Sequence, residues 1–133
     1  MSKKQGAAMT HDLRMGIEDI DTAHEEFLQT LEKLDSKLKE EGIDAGLFRD
    51  WIEKTKEHFA MEEKLMMKHL YSERETHTGD HEQLIDEMES FFAMINTMPP
   101  MARSFVESYA YDKFRRHTMF YDLDLAKFLR TLS

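Results

Sequence analysis

The sequence predicts an all-α protein whose helices close as an up-down-up-down four-helix bundle. Apolar residues recur at spacings of three and four along most of the chain, which is the helical period. No segment carries a clear β-strand signal. Glycine and proline interrupt the chain at only a few positions, which leaves four amphipathic stretches joined by short connections.

Each predicted helix has its own boundary signal. The first begins near Thr22, where Asp21 or Thr22 offers a cap, and the second begins near Asp44. The third extends from about Ser72 into the mid-90s, and the fourth follows Pro100. The predicted inner stripe of the fourth helix comprises Phe105, Tyr109, Phe114, His117, Tyr121, Leu125 and Phe128.

The length and the charge of the chain limit the number of domains and the kinds of partner that are expected. A chain of 133 residues is sufficient for one domain, and we expect an N-terminal arm over residues 1–15 and the bundle over 16–130. The net charge of −9 repels phosphate backbones and anionic lipid, so nucleic-acid and membrane partners are not expected. The polar N-terminus and the absence of a long apolar run predict a soluble, cytoplasmic protein. Because there is no cysteine, disulfides and thiolate metal sites are excluded.

Side chains of the kind that bind metal ions fall on every predicted helix, within its apolar stripe. On the second and third helices they come in pairs four residues apart, so both members of a pair project from one face. The candidate ligands are His24, His58, Glu62, His77, His81, His117 and Asp122.

Each of these motifs has an ordinary explanation when it is taken alone, such as an ion pair on a solvated helix face. Apart from a role in binding metal, the acidic run of Glu57, Glu62 and Glu63 is assigned to such a solvated face. Burying this many imidazoles and carboxylates without partners would cost several kcal/mol, and a metal centre removes that cost. His11 precedes the first helix, and His69 lies about 16 Å along the axis from His58, so neither is expected to join the site.

The ligand count indicates two metal ions. Five imidazoles and two carboxylates are too many for one ion, whereas two ions that share both carboxylates and an oxo or hydroxo bridge receive six and five ligands. One ion then keeps an open position for a small diatomic molecule. Mixed imidazole and carboxylate ligation suits iron. A ferritin-like di-iron site would require ExxH motifs, and no histidine here has glutamate three residues before it.

The chain from about Gly16 to Leu129 resembles the hemerythrins, and by size and spacing their bacterial single-domain members, the bacteriohemerythrins. The resemblance rests on four stretches that carry the candidate ligands. They are IDTAH (20–24), HFAMEEKLM (58–66), Tyr71 followed by HTGDH (77–81), and HTMFYDLDLAKFL (117–129).

The resemblance implies a non-haem di-iron centre whose reduced form binds O2 reversibly, for oxygen carriage, storage or sensing. It implies that His77, His81 and His117 bind the six-coordinate iron. His24 and His58 would bind the open iron, and Glu62 and Asp122 would bridge the two. Asp124 competes with Asp122 for the second bridge, and the family spacing of five residues from the histidine favours Asp122.

Residues expected to line the O2 pocket depart from the family pattern. Lys113 stands where a tryptophan is common, Thr118 where a bulky aliphatic residue is common, and Phe114 holds another pocket position. A polar group near the centre helps reduced oxygen to leave, so we expect faster autoxidation than in a carrier with an apolar pocket. The alternative function is a di-iron enzyme or redox sensor that reacts with O2, peroxide or nitric oxide. No separate acid, base or substrate cleft is visible, so binding without catalysis is favoured.

Overall fold

The computed structural model describes residues 13–132, and every regular element in that range is helical. Three long helices come first: α1 (Glu18–Glu41), α2 (Ala45–Lys68) and α3 (Arg74–Ala93). The C-terminal segment, residues 99–130, contains α4 (Pro99–Ser104), α5 (Ala110–His117) and α6 (Leu123–Arg130), joined by the π-helical turns Phe105–Tyr109 and Thr118–Asp122. The predicted all-α class is confirmed. Within residues 13–132, no helix has the length and apolarity needed to cross a membrane.

The predicted start of α2 near Asp44 was right, and the predicted cap of α1 was wrong. The Asp44 carboxylate accepts a hydrogen bond from the Leu47 backbone N–H at 3.0 Å, which satisfies one of the free donors at the start of α2. Asp21 instead lies inside the first turn of α1. Its carboxylate accepts hydrogen bonds from the backbone N–H groups of Met15 and Gly16, at 2.7 and 3.1 Å. It therefore ties the preceding residues to the helix.

The other helix boundaries lie within a few residues of those predicted. Gly42 ends α1 with a φ of 88°, a conformation that residues with a Cβ atom rarely adopt. The third helix begins at Arg74, slightly after the predicted start at Ser72. The fourth begins at Pro99, where the missing N–H costs nothing because the first turn has no acceptor for it.

The first π turn explains why one predicted core residue faces solvent. In an α-helix, Tyr109 would share a face with Phe105, four residues before it. Here the backbone N–H of Ala110 donates to the carbonyl of Phe105, five residues earlier, so the residue that shares its face is Ala110. Phe105 and Ala110 are buried, whereas Tyr109 is 50 % exposed. Its place in the predicted inner stripe was therefore wrong.

The core consists of apolar clusters above and below the candidate ligands. α2 packs against both α1 and α3, and the C-terminal segment contacts α1 and α3. One cluster contains Leu31, Ile52 and Met88, and a second contains Ile20 and Met66. On each of the four helical segments, the buried candidate ligands fall between residues of these two clusters in sequence. The polar site is therefore enclosed by apolar packing at both ends.

The residues just before α1 belong to the buried core. Leu13 and Met15 are almost fully buried, Leu13 against Leu28 and Phe114 and Met15 in the cluster with Ile20. Residues 1–12 of the predicted N-terminal arm, including His11, lie outside the described residues.

The π turn at Phe105–Tyr109 leads to a prediction about single-residue deletions. Deleting Glu107, which is exposed, leaves Phe105 and Ala110 four residues apart, so an α-helical turn keeps both on the core face. We expect this variant to fold and to keep its metal content. Circular dichroism during thermal unfolding, together with metal analysis, measures both properties.

Deletion of the exposed Asp112 in α5 is the matched control. It rotates every later residue by about 100° relative to the core. We expect this variant to lose the site and most of its stability. If both deletions were equally damaging, the π turn would not be a one-residue insertion into an otherwise regular helix.

Candidate metal centre

Five buried side chains from three helical segments bring their ligand atoms within 4.8 Å of one another. One comes from α2, two from α3 and two from the C-terminal segment, and each is nearly inaccessible to solvent. The five are Glu62, His77, His81, His117 and Asp122.

The second π turn brings His117 and Asp122 to the same face. Five residues along an α-helix correspond to a rotation of about 140° beyond one full turn, which would separate the two side chains. In the turn Thr118–Asp122, the Leu123 backbone N–H donates to the Thr118 carbonyl, five residues earlier. Residues five apart therefore lie on the same face of this turn. Asp122 Oδ1 then lies 3.0 Å from His117 Nε2. The local conformation therefore makes this pair possible, since its spacing alone predicts no contact.

The two carboxylates lie between the histidine rings. Glu62 Oε1 is 3.0 Å from His81 Nε2 and 3.3 Å from His77 Nε2. Asp122 Oδ1 is also 3.0 Å from His77 Nε2, and Asp122 Oδ2 is 2.7 Å from His24 Nε2. Asp122 therefore faces imidazoles from three helical segments, and Glu62, on α2, faces both imidazoles of α3. Each carboxylate lies against at least two rings, as a bridging ligand must.

His24 and His58 lie at the edge of this cluster. His24 is buried and hydrogen-bonded to Asp122, which brings α1 into the site. The side chain of His58 is 20 % exposed, and its Nε2 lies 3.0 Å from a carboxylate oxygen of Glu26. Both histidines line the same cavity as Glu62. The structure therefore joins six of the seven predicted ligands directly and puts His58 on the wall of the adjoining cavity.

His69 is outside the site, as expected. It follows the last residue of α2, where its backbone N–H donates to the carbonyls of Leu65 and Met67. It is not among the described residues whose ligand atoms converge.

Several buried polar atoms of the cluster have no hydrogen bond to any described residue. They are both ring nitrogens of His77, Nε2 of His117, Oδ1 of Asp122 and Nδ1 of His24. His77 Nε2 and His117 Nε2 approach carboxylate oxygens closely but outside hydrogen-bond geometry. Buried polar atoms without partners are costly, and converging imidazole and carboxylate donors are the ligands that iron and similar transition metals accept. The residues therefore fit a metal centre.

The carboxylates change the proton affinity of the histidines. Burial by itself would lower the pKa of His117, but Asp122 and Asp80 raise it from 6.5 to about 10. Burial is likewise outweighed by neighbouring carboxylates at His24 and His77, whose pKa values are raised. At His58 burial prevails and lowers the pKa. A metal ion that binds these three histidines therefore competes with protons for their ring nitrogens.

Two carboxylates that sequence reasoning missed orient two of the histidines. His81 Nδ1 is 2.8 Å from Glu63 Oε2, and His117 Nδ1 is 2.6 Å from Asp80 Oδ2. Such contacts fix the ring and direct Nε2 towards the site. Assigning Glu63 to a solvated face was therefore wrong, and nothing in the spacing of Asp80 indicated a partner on another helix.

A small cavity of about 40 Å³ adjoins the cluster. Of the three residues predicted to line an O2 pocket, Lys113 and Phe114 line this cavity, whereas Thr118 is buried outside that lining. A bound water requires about 10–15 Å³, so the cavity has room for two or three waters or for a diatomic molecule.

Comparison with known proteins places the chain in a family. Residues 15–129 match the family model described as the hemerythrin HHE cation binding domain. No curated protein and no solved structure matches the chain.

The cluster predicts which histidines control metal content. We expect His77→Ala to lose nearly all bound metal, because both carboxylates lie within 3.3 Å of its Nε2. His69→Ala removes a histidine that follows the last residue of α2 and lies outside the cluster, so we expect this variant to keep its metal. Elemental analysis of the purified variants distinguishes the two outcomes. Loss of metal from His69→Ala would mean that α2 contributes different ligands.

The raised pKa values predict how the chelator-treated chain responds to pH. Because the folded-state pKa of His117 is about 10 and its ordinary value is 6.5, its contribution to stability is complete below pH 6.5 and is lost as the pH rises through 10. We therefore expect the urea midpoint to fall across this window. His117→Asn should flatten that dependence. A midpoint that rises with pH would contradict the assignment.

Proposed function

Since the chain belongs to the hemerythrin family, we propose that its buried cluster holds two iron ions joined by an oxo or hydroxo bridge and that the reduced pair binds O2 reversibly. The observation that carries this proposal is the convergence of five buried ligand atoms within 4.8 Å. The role that follows is carriage, storage or sensing of oxygen.

We further propose that the four helical segments form an up-down-up-down bundle around this centre. Residues 16–130 would make up the bundle of a single domain, and residues 1–15 an N-terminal arm. The proposal is supported by the packing of α2 against α1 and α3 and by the short connections between these helices.

The ligands divide between the two ions according to their position. One iron would be held by the three histidines of α3 and the C-terminal segment, two of which lie outside the cavity lining, and the other iron by two histidines that both line the cavity. Glu62 and Asp122 would bridge the ions, because Asp122 faces imidazoles of three helical segments and Glu62 approaches both imidazoles of α3 from α2. The first set is His77, His81 and His117, and the second is His24 and His58.

When bound, the iron pair would supply two electrons and an open coordination position. The chain itself contributes orientation and exclusion of water. Phe59 stacks on His81 with 3.8 Å between ring centroids, and the rings of His24 and Phe114 lie perpendicular to each other with 5.3 Å between centroids. Phe114 also stacks on Phe27 at 4.4 Å, so aromatic rings cover the cavity side of the cluster. Apolar walls slow the protonation and solvation that reduced oxygen needs in order to leave.

A second candidate function is a di-iron enzyme or redox sensor that oxidises rapidly in air. The observation that favours it is the presence of Lys113 and Glu87, both charged, on the cavity wall. Charged groups near the centre assist the departure of reduced oxygen, which would shorten the lifetime of the oxygenated form.

The experiment that separates these functions is an absorption spectrum recorded with metal analysis on the same sample. We expect a colourless reduced protein with two irons per chain under nitrogen. In air it should gain visible and near-ultraviolet bands that disappear on purging. Direct conversion to an oxidised form, with no purgeable species, would support the enzyme or sensor instead. Absence of iron from a chain expressed in iron-replete medium would overturn both.

A further inference from the structure

We propose that the Lys113–Glu87 ion pair forms the entrance to the cavity and determines which ligands enter, admitting small uncharged molecules and holding back ions. The identification of O2 as the physiological ligand rests on the proposed function. Control of access by this pair does not, because it depends only on the residues around the cavity.

The pair joins two helices across the edge of the cavity. The Lys113 ammonium, on α5, donates a hydrogen bond to the Glu87 carboxylate, on α3, at 3.1 Å. The two side chains are 39 % and 29 % exposed, and both also line the cavity. Each therefore has one surface in solvent and another on the cavity wall.

The rest of the wall beside this pair is apolar and closed. Trp51, Met88, Phe105 and Ala110 line the cavity and are buried. Leu84 is partly buried and lies on the same helix as Glu87. An ion that passes this point loses its hydration against hydrocarbon, whereas a neutral diatomic molecule does not.

His58 offers a rival route into the cavity. His58 also lines the cavity, and its side chain is 20 % exposed next to Glu26. Access at His58 would be insensitive to the charges of Lys113 and Glu87, so the two routes give different results when those charges are changed.

Neutralising one member of the pair should leave the other as a single charge at the entrance. In the native chain the ammonium and carboxylate compensate each other, and no net charge attracts ions. Lys113→Gln leaves the carboxylate, which concentrates cations at the entrance, and Glu87→Gln leaves the ammonium, which concentrates anions. Both substitutions nearly conserve side-chain size, so their opposite effects can be attributed to charge.

The chain contains its own reporter of access. Trp51 is the single tryptophan of the sequence, it lines the cavity, and it is 1 % exposed. Quenching of its fluorescence by iodide and by caesium therefore measures the approach of an anion and of a cation. Neutral acrylamide is too large for the cavity, so its quenching constant reports any general loosening of the fold. The measurement uses the full chain as purified, with metal content and circular dichroism recorded for each variant.

We expect Glu87→Gln to increase the iodide quenching constant several-fold and to change the caesium quenching constant little. We expect Lys113→Gln to increase the caesium quenching constant several-fold and to change the iodide quenching constant little. Both effects should shrink at high salt, because screening weakens the attraction. Lys113→Arg keeps the charge and should behave as the parent chain. The control is Lys56→Gln, which breaks a similarly exposed pair between α2 and Glu89 of α3 away from the cavity, and it should leave all three constants unchanged.

Equal increases for both ions, or no change in either variant, would overturn the proposal and favour entry beside His58. If the two variants respond in opposite ways but the chain does not bind O2, the entrance is supported and the proposed function is rejected. If the chain binds O2 reversibly but the variants do not respond in opposite ways, the proposed function is supported and the entrance is rejected.

Discussion

Asp122 is a fully buried carboxylate that faces histidines from three helical segments, and the interior of the protein depends on its neutralisation. A carboxylate removed from water costs several kcal/mol unless opposite charges or metal ions compensate it. His24, His77 and His117 supply that compensation at 2.7–3.0 Å. The register of α1 and α3 against the C-terminal segment is therefore constrained, since a shift of either helix would remove one of these partners from the buried charge.

The register of the helices depends on local features that differ from one helix to the next. In the C-terminal segment, a π turn converts a five-residue spacing into a shared face, so that Asp122 joins His117. On α3, Asp80 fixes the ring of His117 from a neighbouring helix, and Glu63 on α2 does the same for His81. Each of these two histidines is thus oriented by a residue of a different helix. Packing and ligand geometry are consequently coupled, because moving one helix also turns the rings of its neighbours.

The position of the cavity connects this architecture to function. The cavity adjoins the side of the cluster that carries His24 and His58, while His77 and His81 lie beyond its lining. The two sides of the cluster therefore differ, because the cavity borders His24 and His58, whereas His77 and His81 border two other pockets. The apolar wall favours uncharged ligands, and the charged pair at its edge is the feature by which this chain differs most from a fully apolar pocket. In the proposed function, access and chemistry would thus be governed by different residues.

The sequence by itself determined the helical class, the family and the types of ligand, because these depend on periodicity and motifs within single helices. A spacing of four residues is sufficient to put His77 and His81 on one face of a helix. Tertiary structure decided which side chains meet. It added Glu63 and Asp80, and it paired His58 with Glu26. A repeat within one helix carries no information on the rotation of the next. That rotation, and the π turns that adjust it, are set by packing between residues far apart in the chain.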